Sequence, residues 1–244
     1  MAEIDLPFLE KKALESDMLV FFDFEATEYT HRAIEIGVAV FRKEPGQLAL
    51  GREKALYRKI ISCDDPVGPR VERLSGLTAE IVRQEGIPFS EVVKNIIDLC
   101  RDSRRKTFLS YSFMDMKIFR NSIGTASYEK DFLAHVQKFY LDMHAYLSSL
   151  LVDDRGQSLS VAKLLDLFGI ALPGKPHDPL FDAVALSRIY DAIVMDREGF
   201  LGKILACYPH NRAQKGIDHD LARLVIEKGK TDIDDLRRLI EERL

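Results

Sequence analysis

The chain has 244 residues, 46% of them hydrophobic and 30% charged, which suits one sizeable α/β domain with an appendage and excludes a disordered chain. Its formal net charge of -4 excludes a protein that coats nucleic acid through bulk electrostatics, but not an enzyme that meets phosphate through bound cations. Cys63, Cys100 and Cys207 are widely spaced with no C-x-x-C arrangement, so they give neither a disulfide framework nor a zinc site and read as buried reduced thiols.

Residues 1–16 form a charged, helical lead-in without a secretory pattern, and the apolar run Met18 to Phe22 that follows is far too short to span a bilayer. A soluble, cytoplasmic protein with no membrane contact is expected. Residues 18–24 read as a strand, 33–42 as a second and 47–61 as a third, with Pro45-Gly46 as the turn; links this short predict antiparallel pairing. Residues 66–86 carry two short helices, broken at Ser75-Gly76 and restarted with Thr78 as N-cap. Over 88–103 an amphipathic helix presents Val92, Val93, Ile96, Ile97, Leu99 and Cys100.

The fourth strand is KTFLSYS, followed by a helix from about Met114, a fifth strand near KFYLDMH, and helices over 144–151 and 158–168. Alternation of helix and strand predicts parallel pairing here. Another helix runs from Pro179 to about Met195, and residues 196–244 hold only helical patterns. The expectation is an α/β domain over 1–195 with a mixed five-stranded sheet, and a helical extension over 196–244. In the extension Ile217, Leu221, Leu224, Val225 and Ile226, then Ile233, Leu236, Leu239 and Ile240, make apolar faces that either pack on the domain or meet a second copy in a homodimer. Asp234 and Arg238 are spaced to pair one turn apart.

The chemistry begins in the first strand. Alternation puts Asp23 and Glu25 on one face and Phe22 and Phe24 on the other. Two like charges about 4 Å apart repel by roughly 4 kcal/mol at an effective dielectric near 20, which a divalent cation relieves, and oxygen-only ligands point to magnesium or manganese. An exposed strand edge is the other reading. Asp115, at the entry of a helix, either projects a functional carboxylate from the end of the sheet or completes the S-x-x-D cap begun by Ser112. In HDPLFD, Pro179 suits a first helical position and Asp178 the N-cap, so His177 and Asp182 take the two facing positions of a hydrophobic staple, with ionisable groups in place of apolar ones. An imidazole, with an ordinary pKa of about 6.5, can take a proton from water at neutral pH.

DFEAT, FLSYSFMDMKIF and HDPLFDAVALSRIY, in that order over residues 17–195, resemble the three motifs of the DEDDh branch of 3′-to-5′ exonucleases, the group containing ribonuclease T and the proofreading exonuclease of DNA polymerase III. RLSGLTAEIV resembles the family's substrate-side segment. The resemblance implies a ribonuclease H-like fold, two Mg2+ or Mn2+ ions, and release of nucleoside 5′-monophosphates from single-stranded 3′ ends. It implies Asp23, Glu25, Asp115 and Asp182 as metal ligands and His177 as general base. Ala26 and Thr27 would border the terminal nucleotide, while Leu77 would pack on its base or else in the core. Tyr111 or Phe113 would offer a ring for stacking, and Asp142 a supporting hydrogen bond. Arg101 to Lys106 would meet phosphates or simply form a solvated helix end. The second motif has Ser110-Tyr111-Ser112-Phe113-Met114-Asp115 where many members carry His-Asn-x-x-Phe-Asp, and it comes closer to the RNA-trimming branch, as does DFEAT. The resemblance therefore leans to RNA over DNA. The rivals are a DNA proofreading or repair exonuclease and a non-catalytic nucleic-acid-binding scaffold.

Overall fold

Strand β1 (Met18–Ala26) is apolar on both faces over MLVFF, and a strand of that kind belongs inside a sheet. In the computed structural model, which describes residues 13–44, 46–175, 177–207, 210 and 233–241, β1 is the central strand of a five-stranded sheet ordered β3-β2-β1-β4-β5. β2 (Ala33–Arg42) runs antiparallel to β1, and β3 (Glu53–Ile60) antiparallel to β2. On the other side β4 (Lys106–Ser110) and β5 (Tyr140–Asp142) pair in parallel. Short links force the first pairs to reverse, and helical crossovers permit the second.

Helices α1 (Pro69–Ser75), α2 (Ala79–Glu85) and α3 (Phe89–Cys100) separate β3 from β4. Between β4 and β5 lie α4 (Phe113–Ser122) and α5 (Ser127–Lys138). After β5 come α6 (Met143–Leu147), α7 (Val161–Phe168), α8 (Pro179–Met195), α9 (Arg197–Cys207) and α10 (Ile233–Glu241). Leu19 and Phe21 face α8, packing with Ala183, Leu186, Ile189 and Tyr190. Met18, Val20, Phe22 and Phe24 face the other way, into a core shared with α3, α4 and α5. A third cluster, under α1 and α2, holds Ile34, Cys63, Val67, Leu77 and Val82. Among the described residues, no helix is long and apolar enough to cross a membrane.

The third strand starts later than its sequence pattern predicts, at Glu53 instead of residue 47. The reason is tertiary: the Leu50 N–H donates to Asp191 of α8 at 2.9 Å, and the Tyr190 hydroxyl donates to the Leu48 carbonyl at 2.9 Å, so this stretch bonds to a helix and not to a strand. The fourth strand ends at Ser110, not residue 112, because the Tyr111 carbonyl takes the His144 N–H and Ser112 caps α4. The helix expected at 88–103 ends at Cys100. After Met114 there are two helices, the first stopping before Gly124.

In the C-terminal stretch Phe200, Leu201, Ile204, Leu239 and Ile240 are buried in the same core as α8, which is packing on the domain. Residues 217–226 and the side chain of Ile233 lie outside the described residues. Arg238 bonds Asp235 at 3.2 Å, three residues away. All three cysteines are free and buried.

Candidate active site

At residue 23 one face of β1 changes from apolar to acidic, and the strand beside it changes at the same level. Asp23 is paired in register with Gly37 of β2. A Cβ at Gly37 would lie 2.1 Å from the Leu180 nitrogen and the Pro179 carbonyl carbon, so only glycine lets the first turn of α8 rest on the sheet beside Asp23. That turn starts as its sequence predicts. Pro179 opens the helix, and an Asp178 Oδ1 atom accepts the N–H groups of Leu180 at 3.0 Å and Phe181 at 3.2 Å. The second Asp178 oxygen meets Arg58 Nη1 of β3 at 2.8 Å, and Arg58 Nε donates to Glu35 of β2 at 2.7 Å.

His177 precedes the cap with φ of 64°, a left-handed conformation that non-glycine residues adopt at a cost of about 1 to 3 kcal/mol. Its backbone N–H donates to Asp182 Oδ2 at 3.1 Å. The two staple positions do meet, through a backbone-to-carboxylate bond. Asp115 reaches the site from the opposite side. Ser112 caps α4 by accepting the Met114 N–H at 3.1 Å, and Asp115 follows in the first turn, 5% exposed. β4 pairs with β1 only as far as Phe21, and beyond that point the Phe24 N–H donates to Asp115 Oδ1 at 3.1 Å. Asp115 thus completes the strand's hydrogen bonding where β4 has stopped.

These elements enclose a cavity of about 560 Å3 lined by Asp23, Glu25, Asp115, His177 and Asp182 together. Tyr111, Ile118, Val161, Phe181 and Leu186 form its apolar wall, and among the described residues no lysine or arginine lines it. The acids therefore titrate far from their ordinary range. Burial, then the charges of Asp115, Asp182 and Glu25, raises Asp23 well above the usual aspartate value. Burial and the nearby Asp182 push Glu25 up to about 8. Burial raises Asp115 to about 7 against the opposing hydrogen bonds from Phe24 and Ser110, and raises Asp182 to about 6 against the His177 N–H. Among the described residues no three His, Cys, Asp or Glu side chains are gathered into a ready cage. In chemical type the donor set fits hard divalent cations, since oxygen-only ligands that repel one another across a shared space are relieved by such charge.

Of the other sequence candidates Tyr111 lines this cavity, and Ala26, Thr27, Leu77, Phe113 and Asp142 fall outside its lining. Ala26 ends β1, half-buried against the second core, and Thr27 is buried, accepting the Arg32 N–H at 3.0 Å. Leu77 is 5% exposed and packs in the third core cluster. Phe113 is 55% exposed and lines a neighbouring hollow of about 470 Å3 with Tyr140, Asp142 and Tyr146. Tyr111 is in the cavity wall, its hydroxyl bonded to the Leu159 carbonyl. Asp142 supplies a structural bond, capping α6 through the Ala145 N–H at 2.9 Å. Thr78 caps α2 through the Ile81 N–H at 3.2 Å. Near the end of α3, Lys106 donates to the Cys100 carbonyl at 3.1 Å and Arg105 lies 3.7 Å from Asp17.

Sequence reasoning missed Gly37 and three further contributors. Ser110 is fully buried, 2.7 Å from the Tyr140 hydroxyl, and it hydrogen-bonds Asp115. Ser160, Val161 and Ala162 bring the start of α7 to the cavity rim. Arg58 and Glu35 anchor α8 from the sheet. Only Gly37 carried a readable signal, since a lone glycine in an apolar strand marks close backbone approach.

No protein-family profile matches the sequence, and no curated protein matches it. Solved structures do match in shape. The nuclease domain of 3′hExo, a DEDDh family member bound to rAMP, is 19% identical with a TM-score of 0.56, over 74% of this chain and 93% of that one. The fold is ribonuclease H-like. A 3′-exonuclease in 3′-end specific recognition of a histone mRNA stem-loop is 17% identical with a TM-score of 0.56, over 74% of this chain and 83% of that chain. S. pombe Pop2p, in a form with Mg2+ and Mn2+ bound, is 16% identical with a TM-score of 0.53, over 81% and 90% of the two chains.

Proposed function

We propose that this chain is a divalent-metal-dependent 3′-to-5′ exonuclease of the DEDDh type, hydrolysing single-stranded 3′ ends, RNA in preference to DNA, and releasing nucleoside 5′-monophosphates. One observation carries the reading: acids from β1, α4 and α8 and the histidine before α8 line one cavity. Asp23, Glu25, Asp115 and Asp182 would hold two Mg2+ or Mn2+ ions. Bound there, such ions polarise a phosphodiester and favour deprotonation of water. The protein's own part is to place and to move a proton. The α8 cap and the Gly37 contact seat the helix that carries Asp182, and the Phe24–Asp115 bond places Asp115, while exposed His177 at the cavity accepts the proton of the attacking water through its imidazole.

Ile118, Phe181 and Leu186 give the cavity an apolar wall. Ala26 and Thr27 border the terminal nucleotide, and the exposed Phe113 ring stacks on a base further along the strand. The preference for RNA rests on the second motif and on the neighbours bound to rAMP and to a histone mRNA stem-loop.

The test is release of labelled mononucleotide from matched RNA and DNA oligomers of one sequence, with Mg2+, Mn2+ or chelator. Monophosphate from the 3′ end, faster on RNA and stopped by chelator, is expected. Faster DNA hydrolysis would support the proofreading or repair reading, and binding without hydrolysis would support a scaffold.

A further inference from the structure

Asp23 of β1, Gly37 of β2 and Arg58 of β3 stand in one cross-strand row. The middle position has no side chain, and the backbone of Pro179 and Leu180 lies in the notch. Arg58 therefore flanks the first turn of α8 on the side away from Asp23. Its guanidinium joins two carboxylates from different elements, Glu35 at 2.7 Å and Asp178 at 2.8 Å. Glu35 is 2% exposed and stands directly across from Glu25, a like-charge pair that is unfavourable unless one member is neutralised. Asp178 caps α8 and is the next residue after His177. None of Arg58, Glu35 and Asp178 lines the cavity.

We propose that Arg58 is a positioning residue: by bridging Glu35 and Asp178 it seats the first turn of α8 in the notch over Gly37 and so holds His177 at the cavity. The catalytic consequence rests on the exonuclease reading, whereas the seating does not. A guanidinium suits the task because its planar fork serves two carboxylates at once, where a lysine ammonium acts as a point charge.

Arg58→Met keeps the apolar stem and removes the fork, and Arg58→Lys keeps the charge. Solvent exchange of the His177 amide, which donates to Asp182, reads the seating without any need for activity. In Arg58→Met this amide is expected to exchange about tenfold faster or more, with the Phe24 amide and the rest of β1 unchanged. In the same variant kcat should fall about tenfold or more, KM for an oligonucleotide should stay within about twofold, and Arg58→Lys should recover only part of the loss. Unchanged His177 exchange overturns the proposal, as does acceleration shared by all of β1, which is mere loss of stability. Full kcat in an active Arg58→Met enzyme overturns it too. If the wild-type protein hydrolyses nothing, the exonuclease reading falls, and the exchange result alone decides whether Arg58 seats α8.

Discussion

The two faces of β1 part company at residue 23. One carries Met18, Val20, Phe22 and Phe24, apolar and buried to the end; the other carries Leu19 and Phe21 and then Asp23 and Glu25. Burying a large apolar side chain stabilises by about 1.5 to 3 kcal/mol, so the acidic face forgoes two such contributions and adds repulsion besides. The difference teaches where stability and chemistry reside. The apolar face holds the sheet to α3, α4 and α5, and it does so firmly enough to keep the acids of the other face together against their own electrostatics.

Breaking the acidic face should abolish activity and spare the fold. Asp115→Asn is expected to lower hydrolysis about a thousandfold or more, equivalent to about 4 kcal/mol of transition-state stabilisation, while its thermal midpoint in chelator stays level or rises. Full activity in that variant would contradict the site assignment. Breaking the apolar face should do the reverse. Phe108, register partner of Val20 and 2% exposed, packs edge-on to Phe132 at 5.8 Å, and Phe108→Ala should cost about 3 to 5 kcal/mol in urea unfolding. A loss below about 1 kcal/mol would show that this face does not anchor the sheet.

Gly37→Ala tests the seam between the faces and α8. Its Cβ would press on the Pro179 and Leu180 backbone, so α8 must shift, at about 1 to 3 kcal/mol of stability. The expected signature is a loss of turnover out of proportion to the loss in thermal midpoint. Proportionate losses would mean that the notch is packing and nothing more.

Much of this was legible in the sequence, for a local reason. Asp178 and Pro179 define a helix start from four neighbouring residues, and the observed α8 spans the predicted Pro179 to Met195. Period-two patterning gave β2 at its observed bounds, 33–42. What patterning could not show was bonding between distant segments. Residues 48–50 look like strand and are tied to α8 by Tyr190 and Asp191. Arg58 looks like a solvated edge residue, and its two partners lie 23 positions before it and on α8. Asp115 fitted a cap pattern, and only the end of β4 at Ser110 shows why it points to Phe24. Leu77, which the family resemblance places near substrate, packs in a core cluster with Ile34, Cys63, Val67 and Val82, a long-range grouping that patterning does not show.

The pH dependence of the metal-free protein separates the two faces once more, by its sign. Apolar packing does not titrate. Asp182, Asp115 and Glu25 have folded-state values raised to about 6, about 7 and about 8, so in chelator the folded chain holds protons that the unfolded chain releases near pH 4. Groups of that kind favour the fold fully below their unfolded values, and the advantage is lost as pH rises through the folded ones. Thermal and urea stability in chelator should therefore fall from about pH 5 to 8, by about 1.4 kcal/mol per pH unit for each proton held only in the folded state. Adding Mg2+ or Mn2+ should raise the midpoint most at pH 8 and flatten the slope, because the cations compete with those protons for the same oxygens. Asp115→Asn should show a shallower slope than the wild type, and Phe108→Ala the same slope at lower stability. A slope that rises toward pH 8, or that metal leaves unchanged, would mean that the four acids do not share one field.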